Sequence, residues 1–445
     1  MTRMNEQVGA GTMKRLWILS IVALTTLVSA QTLAAPVQSW TTAQGTRVYF
    51  IETHALPIVD VQISFLAGSA FDPPALPGLA SMTASLLDQG AGARNEKEVA
   101  ETLADIGAQM SSGAGMDSAS VSLRTLSDPE RRATAVALMV DALTQPHFDG
   151  AVFKRDQARS VAGLKEALTK PQVLSQRAYM SAIYPDHPYG RLTTPESLAQ
   201  MSRSDVALFW RQHYSAARAS IALVGDLTRA EAEALAIRLT EALPADQADV
   251  LRTLPKPAVT AAQVVRVDHP ASQAHLLVGM PSVARDDAEQ IALQVGNYTL
   301  GGGGFVSLLT KSVREDRGYA YSVYSYFDPK LVEGPFTIGL ETKRSQADDA
   351  LKVVNAVLGD FLQRGPTPVQ LKAAQDNIAG GFALRIDSNS KLAANLGVMA
   401  FYGLPTDWLE KYPERVRALT PEAVRAAFQK HVKPEQLVTV RTAAD

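Results

Sequence analysis

The residues best suited to chemistry lie along one stretch of the second half, Val313-Arg314-Glu315-Asp316-Arg317-Gly318-Tyr319-Ala320-Tyr321-Ser322-Val323. Arg314 and Tyr321 are the candidates, although by residue type alone Arg314 reads equally as a surface cation and Tyr319, Tyr321, Tyr324 and Tyr326 as strand formers. A guanidinium fork and a phenol are hydrogen-bond donors suited to a carbonyl oxygen that gains negative charge during a reaction. For them to meet, the chain must turn between them, and Gly318 permits a sharp turn. The pattern ends a helix begun near Phe305 at Arg314 and places Tyr321 on the strand that follows. Alternation then puts Tyr319, Tyr321 and Val323 on one face and Ala320, Ser322 and Tyr324 on the other. Arg317, one turn away, reads as a structural cation. Just upstream, Gly301, Gly302, Gly303 and Gly304 leave the backbone nearly unrestrained and open to close approach by another chain. They do not form a phosphate loop, because Lys311-Ser312 follows Leu309-Thr310 with no glycine before the lysine.

Other chemistries are poorly supplied. Cysteine is absent, which removes thiolate catalysis, cysteine-ligated metal and disulfides together. The histidines are His54, His147, His187, His213, His269, His275 and His431. No two are three to five residues apart, the spacing that sets two ligands on one helix face. His187-Pro188-Tyr189-Gly190-Arg191 reads as an ordered turn with a structural role, since Pro and Gly fix turns without any catalytic purpose. A formal net charge of −2 offers no basic stripe for nucleic acid.

The elements that must position these groups recur in two halves. In the first, Arg47–Ile51, Val59–Phe65 and Ala119–Leu123 read as strands. Leu79–Leu87, Glu96–Ile106, Pro129–Leu143 and Gly150–Leu168 read as helices, the last ending before Pro171. In the second, Ala274–Met280, Tyr319–Phe327 and Phe336–Glu341 read as strands. Asp286–Leu300, Ala347–Leu362 and Pro368–Leu384 read as helices. The expected organisation is a signal segment over 1–35, a first domain over 36–243, a proline-containing linker over 244–262 and a second domain over 263–445. The fold class is α+β, with an antiparallel-rich sheet and helices in each domain. Residues 1–35 have the form of a secretory signal. Lys14-Arg15 precede a mostly apolar run, Leu16–Val28, and small residues follow at Ser29, Ala30, Ala34 and Ala35. Cleavage is expected between about residues 30 and 35, with export to the periplasm and no membrane span afterwards.

Ala67-Gly68-Ser69-Ala70-Phe71-Asp72 through Pro77-Gly78-Leu79-Ala80 resembles the approach to the zinc motif of the M16 (pitrilysin/insulinase-type) peptidases. In catalytic members, the motif H-x-x-E-H follows directly. There, two histidines hold the metal and the glutamate acts as general base. Here those five positions are Ser81-Met82-Thr83-Ala84-Ser85. Ser81 and Ser85 stand for the histidines and Ala84 for the base. The third family ligand, a glutamate on a long helix, falls near Ala162 or Gly163, with Glu166 about one turn out of place. The resemblance therefore implies no metal held by this chain, with zinc expected in a partner subunit.

The resemblance extends over almost all of residues 40–440. His187–Arg191, Tyr214 and Ala222–Asp226 match family segments, and Val313–Val323 resembles the LREERGLAYSV-type segment of the second M16 domain. In that segment, an Arg and a Tyr seven residues later reach the substrate, the roles that the resemblance gives Arg314 and Tyr321. The run Gly301–Gly304 is similar to the glycine-rich loop of the non-catalytic chain of mitochondrial processing peptidase. Two homologous M16-type domains in a clamshell are implied, with a peptide chamber between domains or subunits. Two functions fit. One is a non-catalytic, substrate-binding subunit of an exported heterodimeric zinc endopeptidase acting on unfolded peptides. The other is a non-enzymatic peptide-binding or assembly scaffold.

Overall fold

The computed structural model describes residues 36–247 and 250–444; the signal segment expected over 1–35 lies outside them. The first half contributes β1 (Gln38–Thr41), β2 (Arg47–Glu52), β3 (Ile58–Phe65), the short ribbon β4 (Gly90–Ala91) and β5 (Arg94–Asn95), β6 (Gln109–Ala114), β7 (Ala119–Leu126) and β8 (Ala219–Gly225). Six of these form one sheet in the order β1-β2-β8-β3-β7-β6, antiparallel except where β2 meets β8. The second half contributes β9 (Gln263–Val267), β10 (Gln273–Val283), β11 (Ala320–Phe327), β12 (Gly334–Lys343) and β13 (Val438–Thr442). They form a second sheet, β11-β12-β10-β13-β9, with only the β13–β9 pair parallel. The two sheets and their helices confirm the α+β class.

Alternation sets the first core. β3 pairs with β7 so that Val61 faces Leu123 and Ile63 faces Val121. These apolar side chains are buried with Met139 and Phe209 from the helices Pro129–Thr144 and Arg203–His213. Helix starts are well marked. Asp128 accepts from the Arg131 amide ahead of Pro129, and Thr367 caps Pro368–Gly380 through the Gln370 amide.

Each sheet is covered partly by a helix from the opposite half. The sequence reading treats Pro171 as a stop, but a helix, Pro171–Ile183, begins there. Proline is accommodated at the first helical position because its missing N–H would have no partner anyway. This helix packs on β9, β10 and β13 of the second sheet. In exchange, Asn389–Tyr402, also absent from the sequence reading, packs on β2, β3 and β8 of the first. Glycine makes room at both crossings. A Cβ at Gly279 would lie 2.1 Å from the Tyr179 hydroxyl, and one at Gly397 would lie 2.6 Å from the Gln62 amide.

Polar bonds then lock the exchange. The Tyr179 hydroxyl donates to Phe336 O (2.8 Å), Tyr184 to Glu333 O (2.9 Å), Tyr49 to Leu404 O (2.6 Å) and Arg47 to Ala400 O (2.9 Å). At the centre, the Asp117 carboxylate, 3% exposed, accepts from Tyr189 (2.6 Å), Tyr402 (2.8 Å) and the Leu331 amide (2.9 Å). Residues 36–444 therefore interlock rather than meet as two separable lobes.

Candidate functional site

Arg314 lies on a widened turn of helix, Thr310–Glu315. Wide turns of this kind occur frequently at functional sites. Gly318, at φ +63°, ends it, and the Gly318 and Tyr319 amides donate back to Arg314 O and Val313 O, each at 2.9 Å. The turn that the sequence required is present at the expected glycine. Arg317 donates to Ser312 O at 2.8 Å, a structural bond within the same turn.

The strand that follows departs from simple alternation. Ala320 pairs with Thr342 but Val323 pairs with Leu340, so Tyr321 and Ser322 together oppose the single residue Glu341. This is a β-bulge, and a bulge re-aims the side chains it carries. Ala320, Val323 and Ser325 consequently face inward. Tyr321 and Val323 do not share a face, contrary to the sequence expectation, and Tyr321 is turned outward to 83% exposure. The Arg314 guanidinium stacks on its ring at 4.8 Å and on the exposed Phe305 ring at 4.8 Å. The pair is thus in contact, with Tyr321 largely exposed and Arg314 half-buried.

The glycine run is more ordered than its composition suggests. Gly301 and Gly302 extend the helix Gln290–Asn297 through a wide turn, Tyr298–Gly302. A Cβ at Gly301 would sit 2.4 Å from Ser325 Oγ, so the close approach is by the chain's own β11. Among the four, Gly304 alone has positive φ, at +61°, and it opens into free space. Phe305 and Val306 follow it and are exposed.

On the first half, helix Leu79–Ser85 presents Ser81 and Ser85 to solvent one turn apart and buries Ala84. Gly78, at φ +100°, starts it. The buried Asp72 carboxyl accepts from the Gly78 (2.6 Å) and Ala80 (2.7 Å) amides. Burial pushes that carboxyl up to about 7, against the lowering effect of those amides and Arg191. The frame for two ligands on successive turns is therefore present, but it carries hydroxyls. Ser85 Oγ donates to Met82 O at 2.9 Å. A neutral serine hydroxyl is a poor zinc ligand beside imidazole, and alanine cannot move a proton. Ala162 and Gly163 are exposed on Gly150–Ala167. Glu166, 76% exposed, sits 3.5 Å from Lys170.

The histidines mostly have structural partners. His187 Nδ1 accepts from the Tyr189 amide (3.1 Å), leaving Nε2 to donate to Pro255 O (2.9 Å), while Arg191 donates to Asp72 O (3.0 Å). The His187–Arg191 segment thus ties the linker and the helix start to the Asp117 centre. One further cluster pairs a histidine with carboxylates far away in sequence, which histidine spacing does not reveal. His431 Nε2 lies 2.8 Å from Glu289 Oε2 and 3.6 Å from Asp287 Oδ2. Lys430 holds the same Glu289 oxygen at 2.7 Å. That ammonium, followed by burial in the opposite direction and the imidazole, leaves the Glu289 carboxyl below its ordinary range. Lys430 and the imidazole thus already engage the Glu289 carboxylate.

With this geometry in view, comparison with known proteins is informative. The family described as Insulinase (Peptidase family M16) matches residues 47–195, and the Peptidase M16 inactive domain matches residues 200–378. The chain belongs to the M16 family. A crystal structure of a peptidase M16 inactive domain from Pseudomonas fluorescens is 34% identical, with a TM-score of 0.88 over 92% of this chain and 98% of that one. An uncharacterized zinc protease of Streptomyces coelicolor is 26% identical over 81% of this chain and 79% of its own length. A non-peptidase homolog of Helicobacter pylori, YmxG, is 21% identical over 88% of this chain and 90% of its own. The similar proteins thus include chains named as zinc proteases and one named as a non-peptidase homolog.

Proposed function

We propose that this M16 chain is a metal-free, substrate-binding subunit that completes the active site of a separate zinc-bearing M16 subunit, acting on unfolded peptides outside the cytoplasm. Its own Ser81, Ala84 and Ser85 supply neither ligands nor base. The observation that carries the reading is the pre-assembled, outward-facing pair Arg314 and Tyr321, which can donate to a peptide carbonyl held by the partner. Because the two halves of the chain interlock, a chamber formed against a second subunit suits the peptide better than one opened within this chain. The division into domains at residues 243 and 263 and the export signal over 1–35 belong to the same proposal. The 34% identity to a solved M16 inactive domain and the match to a non-peptidase homolog support this reading.

The test is reconstitution. The purified chain is assayed alone and with an M16 protein that carries H-x-x-E-H, using an unstructured fluorogenic peptide. The mixture is expected to cleave with zinc dependence and the isolated chain is not. Arg314→Ala or Tyr321→Phe is expected to lower turnover of the mixture by a factor on the order of 100, since one such donor is worth about 2.7–4 kcal/mol. Cleavage by the isolated chain overturns the reading. Turnover untouched by both substitutions favours the scaffold role instead.

A further inference from the structure

We propose that the cavity between helix Pro171–Ile183 and the second sheet is a subsite for one cationic side chain of the peptide, arginine or lysine; this rests on the reading that the chain handles peptides. The cavity is about 400 Å³. Its construction follows from strand register. Tyr324 pairs with Gly339, which pairs with Leu277, and Glu341 pairs with His275. Gly339 leaves a gap in the sheet face, and the Tyr324 ring lies across it, within 2.5 Å of where a Cβ would stand. The helix that crosses from the first half supplies the opposite wall.

His275 is buried, with Nδ1 3.3 Å from Glu341 Oε1. Ser175 lines the cavity, is 1% exposed, and its Oγ has no hydrogen-bond partner. A buried hydroxyl without a partner is unfavourable, and a ligand that bonds to it relieves the penalty. Among the described residues, the lining holds one carboxylate, Glu341, beside the His275 imidazole, with Gln172, Gln176, hydroxyls and an aromatic ring, but no lysine or arginine. A carboxylate and a ring face together favour a cation. The cavity also adjoins the candidate site. Ser322, the second bulge residue, lines it directly after Tyr321. A peptide whose carbonyl meets Tyr321 therefore has a neighbouring side chain in position to enter.

The experiment measures binding to the full chain alone, by fluorescence anisotropy. The probes are a labelled unstructured peptide of about a dozen residues with a single arginine, and its norleucine counterpart. The arginine peptide is expected to bind about tenfold more tightly, and Glu341→Gln is expected to abolish the preference. Equal affinity for the two peptides, or a preference that survives Glu341→Gln, overturns the proposal. Reconstituted turnover separates this from the broader reading. An Arg314-dependent turnover without arginine preference removes only the subsite. An arginine preference with turnover indifferent to Arg314 removes only the division of labour.

Discussion

Asp117→Ala removes the polar centre of the interlock, and its effect can be worked from the structure. The buried carboxylate accepts three hydrogen bonds, from the Tyr189 and Tyr402 hydroxyls and the Leu331 amide. Hydrogen bonds to a charged group are worth about 1.5–3 kcal/mol each. Removing the carboxylate also removes its own desolvation penalty, so the sum overstates the loss. What remains is the burden of donors left unpaired, and a net destabilisation of about 3–5 kcal/mol is expected. Tyr402→Phe deletes one donor and leaves two, for about 1.5–3 kcal/mol. The assay is urea unfolding followed by fluorescence, with Trp40 and Trp210 in the first half and Trp408 in the second. Because each sheet is roofed by the other half's helix, the native chain should unfold in a single transition, with Asp117→Ala shifting the whole of it. In the double mutant, the Asp117–Tyr402 coupling should be about 1–2 kcal/mol. A loss below about 1 kcal/mol, strict additivity, or separate transitions for the two halves in the native chain would refute the interlock argument.

Two further outcomes follow from buried groups. His213 stacks on Phe209 at 4.3 Å, and burial, then Arg218, lower its imidazole to about 4. The folded value lies below the unfolded one of about 6.5, so its contribution is complete above that pH and is lost as pH falls toward 4. The total is about 3 kcal/mol. His213→Phe should flatten this limb of the stability–pH curve, measured by denaturation midpoints between pH 7 and 4; an unchanged slope contradicts the assignment. Gly301→Ala drives a methyl against Ser325 Oγ and the Ser325 backbone N at 2.4 and 2.7 Å, whereas Gly304→Ala meets only backbone strain at φ +61°. Thermal melts should give losses of about 3 kcal/mol for the first and about 1 kcal/mol for the second. Equal losses would mean that the glycine run is loose throughout.

Much of the local structure was legible because it follows from short-range periodicity. β3 and β7 alternate cleanly, and the helices beginning at Glu96, Pro129 and Pro368 carry their caps in sequence. The candidate pair, Arg314 and Tyr321, stood out through the resemblance of Val313–Val323 to the second M16 domain, since residue types alone read equally as a surface cation and strand-forming tyrosines. Three features were not legible. Pro171 and the polar start of Asn389–Tyr402 look like interruptions, and nothing local says that these two helices cross to the opposite sheet. The bulge at Tyr321–Ser322 is a property of pairing with β12, and only the register of the partner strand reveals it. The His431–Glu289–Asp287 cluster joins residues 142 positions apart and leaves no motif at all.

The bulge and the interlock answer one physical requirement together. A tyrosine exposed at 83% gains little from burial, and its ring is held mainly by stacking with Arg314. On a mobile support, such a pair would lose orientational freedom on meeting a peptide, and that loss subtracts from transition-state stabilisation. Here β11 bonds to β12, β12 to β10, and the sheet is gripped by the first half's helix through Tyr179. Tyr321 therefore projects from a sheet tied into both halves of the chain, turned outward by the bulge, while Arg314 reaches its ring from the widened turn Thr310–Glu315. Under the proposed function the carbonyl would belong to a peptide positioned by another subunit, and a rigid support would then be required because neither chain could adjust both sides of that contact.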